Sequence, residues 1–449
     1  MPDCAQFYQQ RDLRTREYIG NERFDAPPVH VATDSRTVES TSGQLALLAL
    51  ANQLARVHRR ITFSLPSSPV PLCVPYPFSR STLADTLLAM VRRIDPCGDF
   101  RIGNPTGLHV SIGIGANLSS QFDWYIGADR ALATLSTSPA EFSAFPSTLR
   151  GAALASCLGA AAVLRTVVGL ESKSRTVSCW NYAEGGAAAP GPAEIEILDV
   201  GRVLMVGAGA VAAALVHWLI VFGIEGEWTI VDKDLVALHN TNRGLLFMPA
   251  DAGWPDGPRR SKAELLASFI SGSKWAPEWY HESELVNRDH DVVLGLANDH
   301  DVRHYIASRN ATVTLHATTG RNWLSQLHRH ITGLDDCIWC RAGEVTEPIF
   351  ACSTGDVPLP AGERTDAALP FLSAASGLML ATALQRLQSG ELANDECNDW
   401  RWDFDSTHRM ASAGFRKCRE ACSRILPPSV RREINRKSRW ANLDTQFSP

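Results

Sequence analysis

Two glycines follow an apolar run in the segment 202–224 and could form a phosphate site. The run "RVLMV" leads into "GAGAVA", which places Gly207, Gly209 and Ala212 at the spacing G-x-G-x-x-A. The first two glycines permit a tight turn and a close backbone approach, and the N–H groups at the start of the next helix favour an anion. The alternative for this motif alone is a tight turn that binds no ligand.

Four polar side chains downstream indicate which nucleotide would bind. Asp232 ends the apolar run "EWTIVD", where a carboxylate can accept both hydroxyls of a ribose, as NAD and ATP each require. Asn240 and Arg243 follow and predict a further phosphate, because a planar guanidinium grips phosphate oxygens in pairs. Lys262 could add a point charge to the same oxygens. Either cation alone could simply be solvated. In an NAD-dependent oxidoreductase, however, Arg243 and Lys262 would have no purpose, so that class is the least favoured.

Residues 200–425 resemble the ubiquitin-activating enzyme superfamily, whose bacterial members include the ThiF, MoeB and HesA-type adenylyltransferases. The resemblance is carried by a glycine turn, the pattern D-x-D-x-V-x-x-x-N-x-x-R and a later lysine, present here as Gly207, Gly209, Asp232, Asp234, Val236, Asn240, Arg243 and Lys262. It implies that ATP binds here and that AMP is transferred to the C-terminal carboxylate of a ubiquitin-like protein. It also implies that Asp232 holds the ribose and that the phosphates contact Asn240, Arg243 and Lys262.

Two positions depart from the family pattern. The residue after the arginine is usually glutamine in the family, and it is Gly244 here. The magnesium-binding aspartate should stand five residues before an arginine, but that position, counted back from Arg303, is Asn298, with Asp299 beside it. We expect Asp299 to carry magnesium through a shifted loop, where the ion would neutralise charge on the displaced phosphates. The alternative is a weakened metal site.

Two close pairs of cysteines predict a structural zinc site. "DDCIWCRAG" contains one pair and "FRKCREACS" the other, so the four ligands would be Cys337, Cys340, Cys418 and Cys422. Four thiolates in two pairs are the tetrahedral zinc pattern, although the second spacing is one residue longer than usual. Many members of the family have such a site at these places. The alternative is two pairs of buried cysteines without metal.

Cys352, in "PIFACSTGDVP", is a candidate nucleophile in a loop rich in Gly, Pro and acidic residues. In the family this crossover loop holds the cysteine that attacks the acyl-adenylate and forms a thioester, a task that suits a thiolate near neutral pH. Cys397 is a weaker competitor, and an ordinary loop cysteine is the alternative. The remaining cysteines are interpreted as structural: Cys4, Cys73, Cys97, Cys157 and Cys179.

Alternation of strands and helices predicts an α/β fold with two Rossmann-like, doubly wound halves. The expected strands are 29–34, 61–66, 108–116, 122–128, 227–232, 291–297, 312–318 and 323–331, and the expected helices are 41–60, 149–169, 261–272 and 368–390. The segment 202–224 is expected to form a strand, a tight turn and a helix. The first half, 1–182, has one glycine, Gly43, at its first turn, so we expect a structural half that binds no nucleotide. The resemblance implies that this half is a degenerate, inactive adenylation domain. A Gly/Pro-rich linker, 183–193, leads to the active domain, 194–449, with a crossover loop at 341–367 and a tail at 427–449.

The N-terminal segment "YQQRDLRTREYIG" is a candidate source of a further catalytic arginine. In the family the N-terminal helix of the partner domain reaches an arginine into the ATP site, and Arg11 and Arg14 are the candidates here. The usual spacing from tyrosine to arginine is shorter, so a solvated basic helix face is the alternative.

Composition excludes several classes of function. The net charge of −5 and the pI near 6.2 give no basic field, so nucleic acid is not an expected partner. We expect neither a membrane span nor a signal peptide, and therefore a cytoplasmic location. In that reducing compartment the 11 cysteines are expected to be free, metal-bound or catalytic rather than paired in disulfides.

The function that this resemblance implies is ATP-dependent activation of a ubiquitin-like protein, with a thioester on Cys352 and transfer to a ubiquitin-conjugating-like enzyme. A fused inactive half and a cysteine loop resemble the bacterial activating enzymes of antiviral defence operons. Three alternatives stay open: an adenylyltransferase that serves a sulfur carrier, a peptide-adenylating enzyme, and a non-catalytic scaffold that binds a ubiquitin-like protein. A homodimer is possible.

Overall fold

The protein is described from a computed structural model. The described residues are 3–12, 27–145, 148–193, 199–297, 299–308, 311–320, 323–332, 334–342, 356–358, 364–366, 369–405, 409–419, 422 and 439.

A seven-stranded sheet forms the N-terminal half. Its strands are β1 (Val29–Thr33), β2 (Arg60–Ser64), β3 (Asp99–Ile102), β4 (Val110–Ile114), β5 (Trp124–Asp129), β6 (Leu132–Ser136) and β7 (Arg175–Ser178). The order is β3-β2-β1-β4-β5-β6-β7; the first five strands are parallel, and β6 and β7 are antiparallel. The helices are α1 (Cys4–Arg11), α2 (Ser35–Val38), α3 (Thr41–Leu54), α4 (Leu83–Ile94) and α5 (Leu149–Val167).

An eight-stranded sheet forms the C-terminal half. Its strands are β8 (Asp199–Val206), β9 (Glu225–Val231), β10 (Lys274–Ala276), β11 (Val292–Gly295), β12 (Val313–Gly320), β13 (Leu324–Ile331), β16 (Asp399–Asp403) and β17 (Ala411–Gly414), in the order β10-β9-β8-β11-β12-β13-β16-β17. A separate hairpin pairs β14 (Asp356–Pro358) with β15 (Arg364–Asp366). The helices are α6 (Ala210–Phe222), α7 (Lys262–Ala267), α8 (His300–Ser308), α9 (Ile338–Ala342), α10 (Pro370–Gln388) and α11 (Glu391–Asn394).

The two sheets share one topology, which confirms the predicted α/β class. In each sheet the parallel strands run in the order third, second, first, fourth, fifth, the order of a doubly wound nucleotide-binding fold, and antiparallel strands extend one edge. All the strands and helices expected from the sequence are present, with ends that differ by a few residues. Several further elements were not predicted from the sequence, among them the helices α4 and α8 and the strands β3, β6, β7, β10, β16 and β17. These strands are short, with three to five residues each.

Four helices between the sheets join the two halves into one core. The apolar interior is continuous from β1 to β17. Helix α5 of the first half packs against α10 of the second, and α3 and α6 pack on these two helices from their own halves. Hydrogen bonds cross the same boundary, from Tyr182 Oη to the Met379 carbonyl at 3.0 Å and from Arg150 Nε to Gln385 Oε1 at 2.6 Å.

The predicted linker packs against the N-terminal half. Within 183–193, the carbonyl of Pro190 accepts from Ala131 N–H at 2.9 Å, and the carbonyl of Ala189 accepts from the Ser178 hydroxyl at 2.6 Å. Helix α5 is long and apolar enough to cross a membrane by length and composition, but 89% of that stretch is buried inside the protein. This burial is typical of a core helix.

One expectation about the cysteines is wrong. Cys4 on α1 and Cys97, just after α4, form a disulfide with an S–S distance of 2.10 Å and a Cα–Cα distance of 5.7 Å. The sequence could not indicate this pair, because the two residues are 93 positions apart and only the packing of α1 brings them together. Cys73, Cys157 and Cys179 are free, as expected.

Candidate functional site

The glycine turn lies between β8 and α6 in the conformation that the motif predicts. Gly207 has a φ of +99°, and a Cβ there would lie 2.5 Å from the backbone nitrogen of Ala297, so only glycine fits. Gly209 caps α6 without a side chain, and a Cβ on it would meet nothing within 4 Å. The turn therefore leaves open space directly in front of the N–H groups of a helix, which is an anion site.

Asp232 is held against this turn. Its Oδ2 accepts from Ala208 N–H at 2.6 Å, and its Oδ1 accepts from Asp234 N–H at 2.8 Å. Burial raises the pKa of Asp232, while Lys262 and the two N–H groups lower it. Each oxygen keeps a lone pair for a further donor, so the carboxylate can accept hydroxyl groups at the end of β9.

The phosphate candidates follow on a tight loop. Asn240 Oδ1 accepts from Ala237 N–H at 2.9 Å, which fixes the side chain and leaves the amide N–H₂ group as its donor. An Nη atom of Arg243 donates to the His239 carbonyl at 2.9 Å. Lys262, at the start of α7, forms an ion pair with Asp234 at 2.8 Å.

Gly244, which replaces the usual glutamine of the family, is explained by packing. A Cβ on Gly244 would lie 2.4 Å from the ring of Phe247, which is 1% exposed. Phe247 also lines the cavity described next. A longer side chain at 244 would displace this ring, so the loop takes glycine.

One cavity of about 400 Å³ brings the predicted nucleotide residues together. The predicted residues that line it are Gly207, Gly209, Asp232, Asp234, Asn240, Arg243, Lys262 and Asp299. Asp299 is exposed and lies at the N-terminal end of α8, where its Oδ1 accepts from Asp301 N–H at 2.8 Å. Asn298 lies outside the described residues. The cavity has the size of a small-molecule site.

Sequence reasoning missed one wall of this cavity. This wall is formed by the loop after β10, where the lining residues are Glu278, Trp279 and Tyr280. They belong to no recognisable motif in the sequence. The Nζ of Lys233 lies 3.2 Å from the ring centroid of Trp279, a cation–π contact. Two adjacent aromatic residues after a strand were the available signal, because exposed aromatic faces suit stacking on a base.

A buried arginine of the other half supports the phosphate loop. Arg56, just after α3, is 0% exposed and donates to the carbonyls of Leu245 at 2.7 Å, Phe247 at 3.0 Å and Thr241. Asn52 on α3 accepts from Arg56 Nε at 2.9 Å. The N-terminal half thus anchors the loop that follows Asn240, and no motif in the sequence indicates this contact.

Arg11, one of the two candidate arginines, does not contribute to this cavity. Arg11 is 0% exposed and forms ion pairs with Asp12 at 2.6 Å and Asp95 at 2.8 Å, so it does not line the cavity. Its helix, α1, instead packs Phe7 and Tyr8 against Leu238, beside Asn240. The prediction for Arg11 is therefore corrected: two carboxylates use its guanidinium. Arg14 lies outside the described residues.

The equivalent turn of the N-terminal half is closed to an anion. Asp34 follows β1 and accepts from Thr37 N–H at 2.8 Å and from Asn117 N–H at 3.0 Å. A Cβ on Gly43 would lie 2.0 Å from the Thr37 carbonyl oxygen, so no open turn precedes α3. The Asp34 carboxylate at this turn would repel a phosphate, which supports the prediction that this half binds no nucleotide.

The four predicted zinc ligands lie together. The sulfurs of Cys337, Cys340, Cys418 and Cys422 are all within 4.8 Å of one another, and the Cys337–Cys422 distance is 3.9 Å. In a tetrahedral site with Zn–S bonds of about 2.3 Å, sulfurs lie about 3.8 Å apart, so this donor set fits zinc. The cluster joins α9 to the segment after β17.

The predicted nucleophile Cys352 lies outside the described residues. The crossover leaves α9 and returns at Leu369, which lines the cavity together with Ser373 of α10. Cys397 is partly buried, and burial raises the pKa of its thiol.

The sequence pattern of the ThiF family matches residues 187–423, more than half of the chain. An uncharacterized protein of Sinorhizobium fredii, y4jF, is 27% identical over 290 residues, which cover 60% of this chain and 52% of that protein. The NEDD8-activating enzyme E1 catalytic subunit of Caenorhabditis elegans is 33% identical over 81 residues, 18% of this chain and 17% of that protein. The SAMP-activating enzyme E1 of Haloferax volcanii is 37% identical over 71 residues, 16% of this chain and 24% of that protein.

The chain thus spans about half the length of the first relative and about a quarter or less of the other two. Among solved structures, Escherichia coli MccB with MccA-N7isoASN matches 50% of this chain and 67% of its own at 15% identity, with a TM-score of 0.37. A likeness of this size carries no argument about function.

Proposed function

Because the chain belongs to the ThiF family, we propose that it activates the C-terminal carboxylate of a ubiquitin-like protein by ATP-dependent adenylation. The observation that carries the proposal is the single cavity in which the glycine turn, a ribose-binding carboxylate and phosphate-binding cations meet. A carboxylate oxygen of the partner attacks the α-phosphorus of ATP, the bond to the β-phosphate oxygen breaks, and pyrophosphate leaves. The product is an acyl-adenylate.

The residues of the cavity have separable roles in this step. N–H groups at the start of α6 hold phosphate oxygens in front of Gly209, and Asp232 accepts the ribose hydroxyls. Asn240 and Arg243 donate to the outer phosphates. Lys262 exchanges its ion pair with Asp234 for the phosphate oxygens, so nucleotide binding frees one carboxylate.

Asp299 is the residue that would hold magnesium. Its exposed carboxylate at the cavity edge supports the role that the resemblance gives to a neighbouring position. Magnesium, when bound, would neutralise charge on the departing pyrophosphate. Zinc in the four-cysteine cluster would fix the start of the crossover to the segment after β17.

The second step uses Cys352. The thiolate attacks the acyl carbon of the adenylate, AMP leaves, and a thioester forms that a conjugating enzyme can accept. The return of the crossover to the cavity at Leu369 supports this role, because the loop ends beside the nucleotide site. We propose a pathway of bacterial antiviral defence for the chain. Its cytoplasmic location and homodimer formation stay predictions.

A non-reducing gel tests both steps. The protein is incubated with ATP, magnesium and each ubiquitin-like protein encoded beside its gene, and Cys352→Ala and Cys397→Ala are run in parallel. We expect a band that needs ATP, disappears with thiol, is lost in Cys352→Ala and persists in Cys397→Ala. If ATP–pyrophosphate exchange depends on the partner but this band is absent, the adenylation step is supported and the thioester step is refuted. Neither signal, with a partner that binds, would refute the enzyme and favour a scaffold.

A further inference from the structure

Three histidines lie on one face of the C-terminal sheet, apart from the nucleotide cavity. His316 on β12 stands directly opposite His328 in the antiparallel pairing with β13. His330 is two residues further along β13, and side chains two apart in a strand point to the same face. The ring centroids are 5.2 Å apart for His316 and His328 and 6.3 Å apart for His328 and His330.

These imidazoles are buried and incompletely hydrogen-bonded. Their exposed fractions are 4% for His316, 5% for His328 and 5% for His330. Within the part of the chain that the structure describes, four ring nitrogens have no hydrogen-bond partner: Nδ1 of His316, both nitrogens of His328 and Nε2 of His330. An unsatisfied buried polar group is destabilising, so this cluster indicates a ligand for the free lone pair of each ring.

Neighbouring groups prepare two of the rings to donate a lone pair. Nδ1 of His330 lies 2.6 Å from the Asp336 carbonyl oxygen and must be the protonated nitrogen, which leaves the lone pair on Nε2. Asp399 lies opposite His328 in the pairing of β13 with β16, and its Oδ1 is 3.9 Å from Nε2 of His328. A carbonyl or carboxylate behind an imidazole is the usual outer contact of a metal-binding histidine.

Burial favours the neutral form of these rings, which is the form that binds a metal. Burial lowers the pKa of all three histidines, and Arg303 and Arg341 lower the pKa of His316 further. Two carboxylates balance the charge of Arg341, which pairs with Asp336 at 2.6 Å and with Asp399 at 2.9 Å.

We propose that His316, His328 and His330 form a second metal site, which takes a divalent ion of the zinc class. One nitrogen of each ring lies within 4.8 Å of the others, and a tetrahedral ion with bonds of about 2.0–2.1 Å would draw them to about 3.4 Å. Three imidazole donors suit zinc, copper, nickel or iron and disfavour calcium or magnesium. The bound ion would take up the lone pairs that the described residues leave unused.

The site is chemically distinct from the four-cysteine cluster but linked to it through the chain. Asp336, whose carbonyl fixes His330, directly precedes Cys337. One site offers thiolates only and the other imidazoles only, so spectroscopy can tell their metals apart. Both would stiffen the same end of the C-terminal sheet, where the crossover begins.

The test measures metal content and the cobalt spectrum of the full chain. The protein and three variants, His328→Phe, Cys418→Ser and His217→Phe, are equilibrated with zinc alone, cleared of free ion and assayed by mass spectrometry. We expect about two zinc ions in the wild type and about one in each of the first two variants. His217→Phe is the matched control: His217 is also buried, with both ring nitrogens unpartnered among the described residues, but stands alone on α6, so it should keep both ions.

Cobalt spectra of Cys418→Ser test the proposal even if His328→Phe does not fold. Loaded with cobalt alone, Cys418→Ser should show the visible bands of a nitrogen-ligated tetrahedral ion and no thiolate charge-transfer band. Adding His316→Asn to Cys418→Ser should remove these bands. The proposal is overturned if Cys418→Ser binds no cobalt, if the wild type holds one zinc ion or none, or if His328→Phe folds and keeps the wild-type zinc content.

Discussion

Arg56 connects the N-terminal half to the phosphate loop, and its removal should weaken nucleotide binding. Its guanidinium is fully buried and donates to three carbonyls of the segment 241–247, which directly follows Asn240 and contains Arg243. These acceptors are neutral, and burial lowers the pKa of Arg56. The contact therefore serves to hold backbone in place rather than to pair charges.

The magnitude follows from the hydrogen bonds. In Arg56→Ala each of three carbonyls loses a charged donor, at about 1–3 kcal/mol apiece. Relief from burying the guanidinium and local relaxation offset part of this, so we expect a loss of about 3 kcal/mol in the free energy of unfolding. If about half of this free energy is needed to hold the phosphate loop in its binding conformation, the affinity for ATP drops about tenfold, since 1.4 kcal/mol is a factor of ten.

Isothermal titration with ATP and magnesium, together with urea unfolding, measures both effects. Gln53→Ala is the matched control, because Gln53 lies on the same helix and is buried, but it bonds Ala49 and Ser156 of its own half. It should lower stability and leave the ATP affinity of the folded protein unchanged. Unchanged ATP affinity in folded Arg56→Ala, or an equal loss in Gln53→Ala, would refute this reasoning.

Three further changes test the cavity and the core. Gly209→Val should reduce ATP affinity at least about tenfold, because the new side chain occupies the space that a phosphate would take. It should change the free energy of unfolding by about 1 kcal/mol or less, since that space is open without nucleotide. Gly207→Ala, whose Cβ would lie 2.5 Å from a backbone atom, should instead destabilise the fold in the same urea titration. Asp232→Asn should weaken ATP about tenfold and 3′-deoxy-ATP less, and equal losses for both nucleotides would contradict ribose binding. His217 has a pKa lowered by burial to about 3, against 6.5 when unfolded, so the unfolded state binds one more proton below pH 6.5 and stability falls on acidification. His217→Phe should therefore reduce the slope of unfolding free energy between pH 6.5 and 4 by about 1.4 kcal/mol per pH unit, and an unchanged slope would show that this ring is not held neutral.

The sequence determined the local part of the site. Gly207, Gly209, Asp232, Asn240 and Lys262 could be read in order because they lie at or after the carboxyl ends of neighbouring parallel strands, and such ends always meet at one edge of a sheet. The order of these residues along the chain therefore predicts that they lie close together in the fold. The four-cysteine cluster could be read for a similar reason, since close pairs of thiols are already half of a tetrahedral site.

Only the tertiary structure decided which distant residues complete these sites. Arg56 meets the phosphate loop across the boundary of the two halves, and Arg11 is taken up by Asp95 rather than by the cavity. His316 and His328 become neighbours through strand register. Such contacts depend on how helices pack between two sheets and on which residues pair across strands. Composition and spacing along one chain do not encode these choices, because many partners of equal local propensity compete for each buried position.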